Sequence, residues 1–171
     1  HPSTLATLEI LQEPDSYSTL ESLSASLAAG LADAAETAGV RLAINRVGSM
    51  LTPFFGHDPD APVTNFEQAT ASDTEAYAVF FHSMLEQGIF LPPSQFEAWF
   101  VSLAHAQEDI DQTLAAAARA LDAVAARAKA NPASAPVSAS AEAPSAADAA
   151  SAAETSAPTR KPRRGRGSPR G

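Results

Sequence analysis

The apolar residues of this chain recur at two periods, and the switches between them mark its elements. Leu5, Leu8 and Leu11, with Ile10, fall at helical spacing over residues 1–12. Pro14, in the EPDS that follows, cannot continue that helix. Leu20, Leu23, Leu27 and Leu31 recur at three- and four-residue steps. They place one apolar stripe on a second helix, opened by Ser16 or Ser18 and closed at Gly39. At Val40 the period shortens. Val40, Leu42 and Ile44 alternate, and Met50, Leu51, Phe54 and Phe55 follow NRVGS, so 40–55 predicts two short strands joined or kinked at Gly48. GHDPDAPVTN at 56–65 reads as a loop, and a short helical turn is expected within 65–72. Ser72 or Asp73 then caps a helix whose face is Ala76, Tyr77, Phe80, Phe81, Met84 and Leu85, and Gly88 stops it.

The stretch from Gly88 to His105, GIFLPPSQFEAWFVSLAH, is the densest in apolar and aromatic residues. It predicts an extended run at 89–91, a turn at PPSQ and a strand over Phe96 to Leu103. A last long helix starts between His105 and Asp109, with Ile110, Leu114, Leu121 and Val124 as its buried stripe. Its acidic first turn and its basic last turn (Arg127, Lys129) complement the helix dipole. The order is helix, helix, strand pair, helix, strand, helix. That is an α/β or, more narrowly, α+β domain over 1–130, with a short sheet covered by helices on one side. Residues 131–171 hold one valine, no other large apolar residue and no aromatic, so a disordered tail rich in Ala, Ser and Pro is expected.

Composition narrows the classes. A chain of 171 residues suits one ordinary domain. With no cysteine, disulfides and thiolate metal sites are excluded, and a reducing, cytoplasmic location is expected. No apolar run reaches the roughly 18–20 residues that cross a bilayer, so no membrane partner is expected. The chain starts at His1 without the basic-then-apolar pattern of a signal peptide, which suggests a processed chain or a piece of something longer. Residues 1–130 carry five basic residues against seventeen acids, while 160–171 carry six basic residues and no acid. Any nucleic-acid contact would therefore come from the basic tail, RKPRRGRG, and be weak.

Candidate chemistry is sparse. Glu97 stands alone among Phe96, Ala98, Trp99 and Phe100. Burying it as an anion is costly without a partner. Either strand alternation turns it to water, or it is aimed into a site. His1, His57, His82 and His105 show no metal-ligand spacing, and no H-E-x-x-H or Walker lysine occurs, so no metal is assigned. His57 in its acidic loop is a solvated residue or a weak surface metal ligand. His82 reads as a helix-edge residue and His105 as a capping or hydrogen-bonding one. No histidine can be placed beside Ser94 or Ser102, so nucleophilic catalysis is unsupported. Arg46 in NRVGS either binds an anion or lies on the surface of a bend. Trp99 reads as core before stacking platform.

A resemblance takes Glu97 further. NRVGSM at 45–50, SDTEAYAVFFHSMLEQGIFLPPSQFEAWFVSLAH at 72–105 and EDIDQTL at 108–114 resemble the C-terminal part of the glutamate-1-semialdehyde 2,1-aminomutases, class III aminotransferases of fold type I. The resemblance covers residues 1–125. It implies an enzyme that uses pyridoxal 5'-phosphate to move an amino group within glutamate 1-semialdehyde, giving 5-aminolevulinate for porphyrin biosynthesis. It also implies a homodimer, with this segment as the small C-terminal domain closing over a cofactor held by a large domain. Glu97 matches the family's active-site glutamate, and Ser94 and Gln95 match the turn that presents it. The family's Schiff-base lysine lies N-terminal to everything here. Lys129 and Lys161, the lysines of this chain, both follow the matching region. Ala106 stands where the family has a capping threonine. The resemblance thus implies a C-terminal fragment that holds no cofactor and is inactive alone. Two alternatives stay open: a non-catalytic binding module with a basic nucleic-acid-binding tail, and a part of another class III aminotransferase.

Overall fold

The computed structural model describes residues 2–131; the expectations for the tail beyond Asn131 lie outside the described residues. Helix α1 spans Pro2–Leu11 and α2 spans Ser16–Ala38. Strands β1 (Leu42–Val47) and β2 (Met50–Phe55) follow. Helices α3 (Phe66–Thr70) and α4 (Thr74–Glu86), the two-residue strand β3 (Trp99–Phe100) and helix α5 (Gln107–Ala130) complete the order.

Local chemistry sets the boundaries. Asp15 precedes α2 without a side-chain cap bond; Ser18, a sequence candidate for opening the helix, donates its hydroxyl back to Asp15 O at 2.9 Å. Gly39 ends α2 at φ 71°, a left-handed conformation that costs glycine nothing. Asn65 caps α3 through Gln68 N at 2.8 Å, and Asp73 caps α4 through Ala76 N at 2.9 Å. β1 and β2 form an antiparallel hairpin from Leu42↔Phe55 to Val47↔Met50. Its two-residue Gly48-Ser49 turn needs the φ of 56° at Gly48.

The sheet is antiparallel in the order β1-β2-β3. One face carries Leu42, Leu51, Phe55 and Trp99 into the main core, where they meet Leu23, Leu27 and Leu31 of α2, Tyr77, Phe80 and Met84 of α4, and Leu121 and Val124 of α5. Fully burying each large apolar side chain contributes about 1.5–3 kcal/mol, so this cluster is the main source of stability. On the other face Ala43 and Phe54 pack against Val63 and Ala69, and the Phe54 ring meets the His57 imidazole edge-on. Asn45 ties that loop to the sheet, accepting from Val63 N at 3.2 Å. Helices α2 and α5 approach closely. A Cβ added at Gly30 would lie 2.4 Å from Leu114 Cδ1, and α5 meets the core there with Ala116, Ala117 and Ala120.

The long strand expected over Phe96 to Leu103 shrinks to Trp99–Phe100. Turns at 94–97 and 102–105 take the backbone groups on both sides, and β3 pairs only with Met50 and Leu51.

Candidate functional site

The segment between α4 and α5 is a wrapped loop anchored from beneath. Gly88 leaves α4 at φ 82°. The Tyr77 hydroxyl donates to Pro92 O and pins the diproline to α4. A turn follows at once. Ser94 Oγ accepts from Phe96 N, and Ser94 O accepts from Glu97 N, both at 3.2 Å. Val101 N donates to Ser49 O at 3.0 Å and fixes the far end to the hairpin turn.

This geometry sorts the side chains. Gln95, Trp99 and Val101 point inward and are buried, while Phe96, Glu97 and Phe100 face outward. Glu97 therefore sits on a turn and not in a strand, so strand alternation is not what exposes it. Its side chain is exposed. Three aromatic rings of the same segment are exposed as well: Phe90 is 87% exposed, Phe96 53% and Phe100 67%. Exposed apolar residues gathered in one segment mark a candidate interaction surface.

Beneath the turn lies a polar group that the sequence did not single out. Burial pushes the Tyr77 phenol pKa up; the nearby Trp99 indole opposes this and the Glu97 charge adds to it. Tyr77 therefore stays protonated as a donor to Pro92. Trp99 stacks on Phe80 with ring centroids 6.2 Å apart, which confirms it as core. Its Nε1 lies near the Tyr77 hydroxyl without the geometry of a hydrogen bond to it. Both atoms of the Gln95 amide are likewise buried and without a hydrogen-bond partner among the described residues. A tyrosine inside the phenylalanine-rich face of α4 was the available sequence signal.

The remaining candidates resolve as structural. Arg46 gives one guanidinium nitrogen to Gly48 O at 2.9 Å and the other to Glu21 at 2.7 Å, where the hydrogen bond lowers the Glu21 pKa. Arg46 thus lies at the bend with both terminal guanidinium nitrogens in hydrogen bonds. His105 Nδ1 accepts from Ser102 N at 3.0 Å and lies 3.3 Å from Ser102 Oγ. Sequence reasoning had not placed this serine–histidine contact, and both residues are exposed parts of one turn. His57 Nε2 lies 2.9 Å from Ser72 Oγ, and no group of three or more metal-binding side chains occurs among the described residues. No helix among them is long and apolar enough to cross a membrane.

A pyridoxal phosphate needs a lysine for its aldehyde and cationic or backbone donors for its phosphate. Segment 88–105 contains neither lysine nor arginine. Lys129 is the one lysine among the described residues. It lines a cavity of about 610 Å³ with Glu36, Arg41, Phe55 and Arg127, to which 88–105 contributes nothing. Segment 88–105 therefore offers neither of these groups beside Glu97.

No protein-family model matches the chain. Among curated proteins it is 52% identical over 121 residues to the glutamate-1-semialdehyde 2,1-aminomutase of Thermomicrobium roseum, covering 71% of this chain and 27% of that protein. It is 54% identical over 127 residues to that of Heliobacterium modesticaldum, covering 74% of this chain and 28% of that protein. Among solved structures, the internal aldimine form of the FumI protein of Sphingopyxis sp. MTA144, with PLP, superposes with a TM-score of 0.58 at 30% identity, covering 74% of this chain and 27% of that one. A transaminase with PLP bound, 20% identical with a TM-score of 0.53 over 70% of this chain and 26% of its own, shares the fold. The chain thus spans about a quarter of the length of the curated relatives it matches. With half of the matched positions identical and a fold shared with pyridoxal-phosphate transaminases, the chain is similar to the glutamate-1-semialdehyde 2,1-aminomutases over about a quarter of their length, a span that fits their C-terminal portion.

Proposed function

We propose that this chain is the C-terminal domain of an enzyme that converts glutamate 1-semialdehyde to 5-aminolevulinate with pyridoxal 5'-phosphate, a cytoplasmic step towards porphyrins. The observation that carries this reading is the identity of 52–54% to curated aminomutases over 121–127 residues. The missing three quarters of the relatives' length would supply the Schiff-base lysine and the phosphate cradle. A second copy of the whole enzyme would complete a homodimer.

Within that enzyme the domain contributes one wall. Glu97 presents a carboxylate that can accept hydrogen bonds from a substrate amino group and favour its cationic form. Ser94 shapes the turn that aims it, and Gln95 anchors that turn from within. The exposed Phe90, Phe96 and Phe100 would exclude water where the rest of the enzyme meets this surface.

The chain alone, incubated with pyridoxal phosphate and glutamate 1-semialdehyde, should form no 5-aminolevulinate, and borohydride should trap no pyridoxyl group on it. Joined to the rest of its parent enzyme, it should support 5-aminolevulinate formation. Activity of the isolated chain would refute its dependence on a missing lysine. A whole enzyme that transaminates other substrates but not this one would refute the aminomutase assignment.

A further inference from the structure

Two buried side chains flank Glu97 on the inner side of its turn, Gln95 two residues before it and Trp99 two residues after. They are 3% and 5% exposed. Gln95 Nε2, Gln95 Oε1 and Trp99 Nε1 are each enclosed and have no hydrogen-bond partner among the described residues. Most buried polar groups in native proteins are paired, and internal water serves those that protein atoms do not reach. Exchanging the amide nitrogen and oxygen of Gln95 changes nothing, because both positions lack partners. The Tyr77 hydroxyl has committed its proton to Pro92 O, which leaves its lone pairs as acceptors at the edge of the group.

We propose that Gln95 and Trp99 hold ordered internal water between them, a hydration site that ties the two ends of the turn presenting Glu97. Two donor nitrogens and one carbonyl acceptor call for a pair of waters. One accepts from the Trp99 indole and donates to the Gln95 carbonyl. The other accepts from the Gln95 amide N–H and donates towards the Tyr77 oxygen. A cleft of about 490 Å³ walled by Pro92, Ala98 and Trp99 brings solvent to the Trp99 side of the group. Gln95 is then a positioning residue acting through water. Its hydration stands independently of the proposed function; only the consequence for Glu97, a carboxylate held in one direction, rests on that reading.

Trp99 is the only tryptophan, so the indole N–H of the 171-residue chain gives a single resonance. Water-selective NOE and ROE spectra of the isotope-labelled chain should show cross-peaks at the water frequency to this proton and to the Gln95 side-chain amide. The indole cross-peak should persist in Tyr77→Phe, which removes a hydroxyl whose exchange can imitate water. In Gln95→Met, which keeps length but offers no hydrogen bond, the indole cross-peak should be lost. Absence of cross-peaks in the unsubstituted chain, as a direct Gln95–Trp99 hydrogen bond would give, overturns the proposal. So does loss of the indole cross-peak in Tyr77→Phe, or an unchanged indole cross-peak in Gln95→Met. If Gln95→Met does not fold, the other two spectra decide the matter.

Discussion

Alanine at position 30 sets two opposing effects against each other. Gly30 lies inside α2, where replacing glycine with alanine normally stabilises a helix by about 1 kcal/mol. Here the new Cβ would stand 2.4 Å from Leu114 Cδ1, 2.7 Å from Cδ2 and 3.1 Å from Cγ. Turning one methyl aside does not relieve the contact, because the branch point is also too close. Leu114 must change rotamer or α5 must move outward, and overpacking of this kind costs about 1–3 kcal/mol. Leu114 is only half-buried and can swing towards solvent, which puts the cost near the middle of that range. Gly30→Ala should therefore destabilise the chain by about 1 kcal/mol net. In a Leu114→Ala background the obstruction is gone, and the same substitution should stabilise by about 1 kcal/mol. The coupling between the two sites is then about 2 kcal/mol. Urea unfolding of the four chains, followed by far-ultraviolet circular dichroism, measures it. A coupling below about 0.5 kcal/mol, the additivity expected of independent sites, would refute the close approach of α2 and α5 as the reason for glycine.

Three further outcomes follow from the site and its surroundings. Burial, then the Arg41 charge, lower the His57 pKa, against a hydrogen bond from the ring to the Gln68 backbone carbonyl that raises it. The unfolded chain thus binds the proton more readily, so stability should be full above about pH 6.5 and fall as pH drops from there towards the folded-state value. Unfolding free energies between pH 5 and 8 should show that slope, and His57→Gln should flatten it; an equal slope in both chains contradicts the assignment. Tyr77→Phe removes the hydrogen bond to Pro92 O and should cost about 1 kcal/mol in thermal unfolding; no loss would mean that the diproline is held by packing alone. In the whole enzyme Glu97→Gln should slow turnover while cofactor absorbance stays near normal, and unchanged kinetics would leave Glu97 a surface residue.

Much of the fold was legible because it rests on local rules. The leucine steps of α2, the aromatic face of α4 and the hairpin at Gly48 each follow from periodicity and one special glycine. β3 was overestimated because aromatic and β-branched residues fit strands, whereas a strand also needs a free partner edge. Ser94 and Ser102 nucleate turns that end the pairing after two residues. Glu97 attracted notice as a lone acid, but its exposure depends on the 94–97 turn and its role on the family resemblance. The burial of Gln95 arises from packing against distant segments, which no single-sequence pattern encodes. The ion pairs of Arg46 with Glu21 and of Arg127 with Glu75 span 25 and 52 residues and were unreadable for the same reason.

The start of α5 has a kinetic consequence. Ala106 has no side-chain oxygen with which to cap the helix, so that end is held by one half of the usual reciprocal pair, the Asp109 carboxylate accepting from Ala106 N at 2.8 Å. Amide exchange along α5 should therefore run as a gradient, fastest at the first turn next to the Ser102–His105 turn and slowest beside Leu121. Breathing of that first turn loosens the same loop that carries Glu97, so one hydroxyl at position 106 would slow local opening well before it altered any average structure.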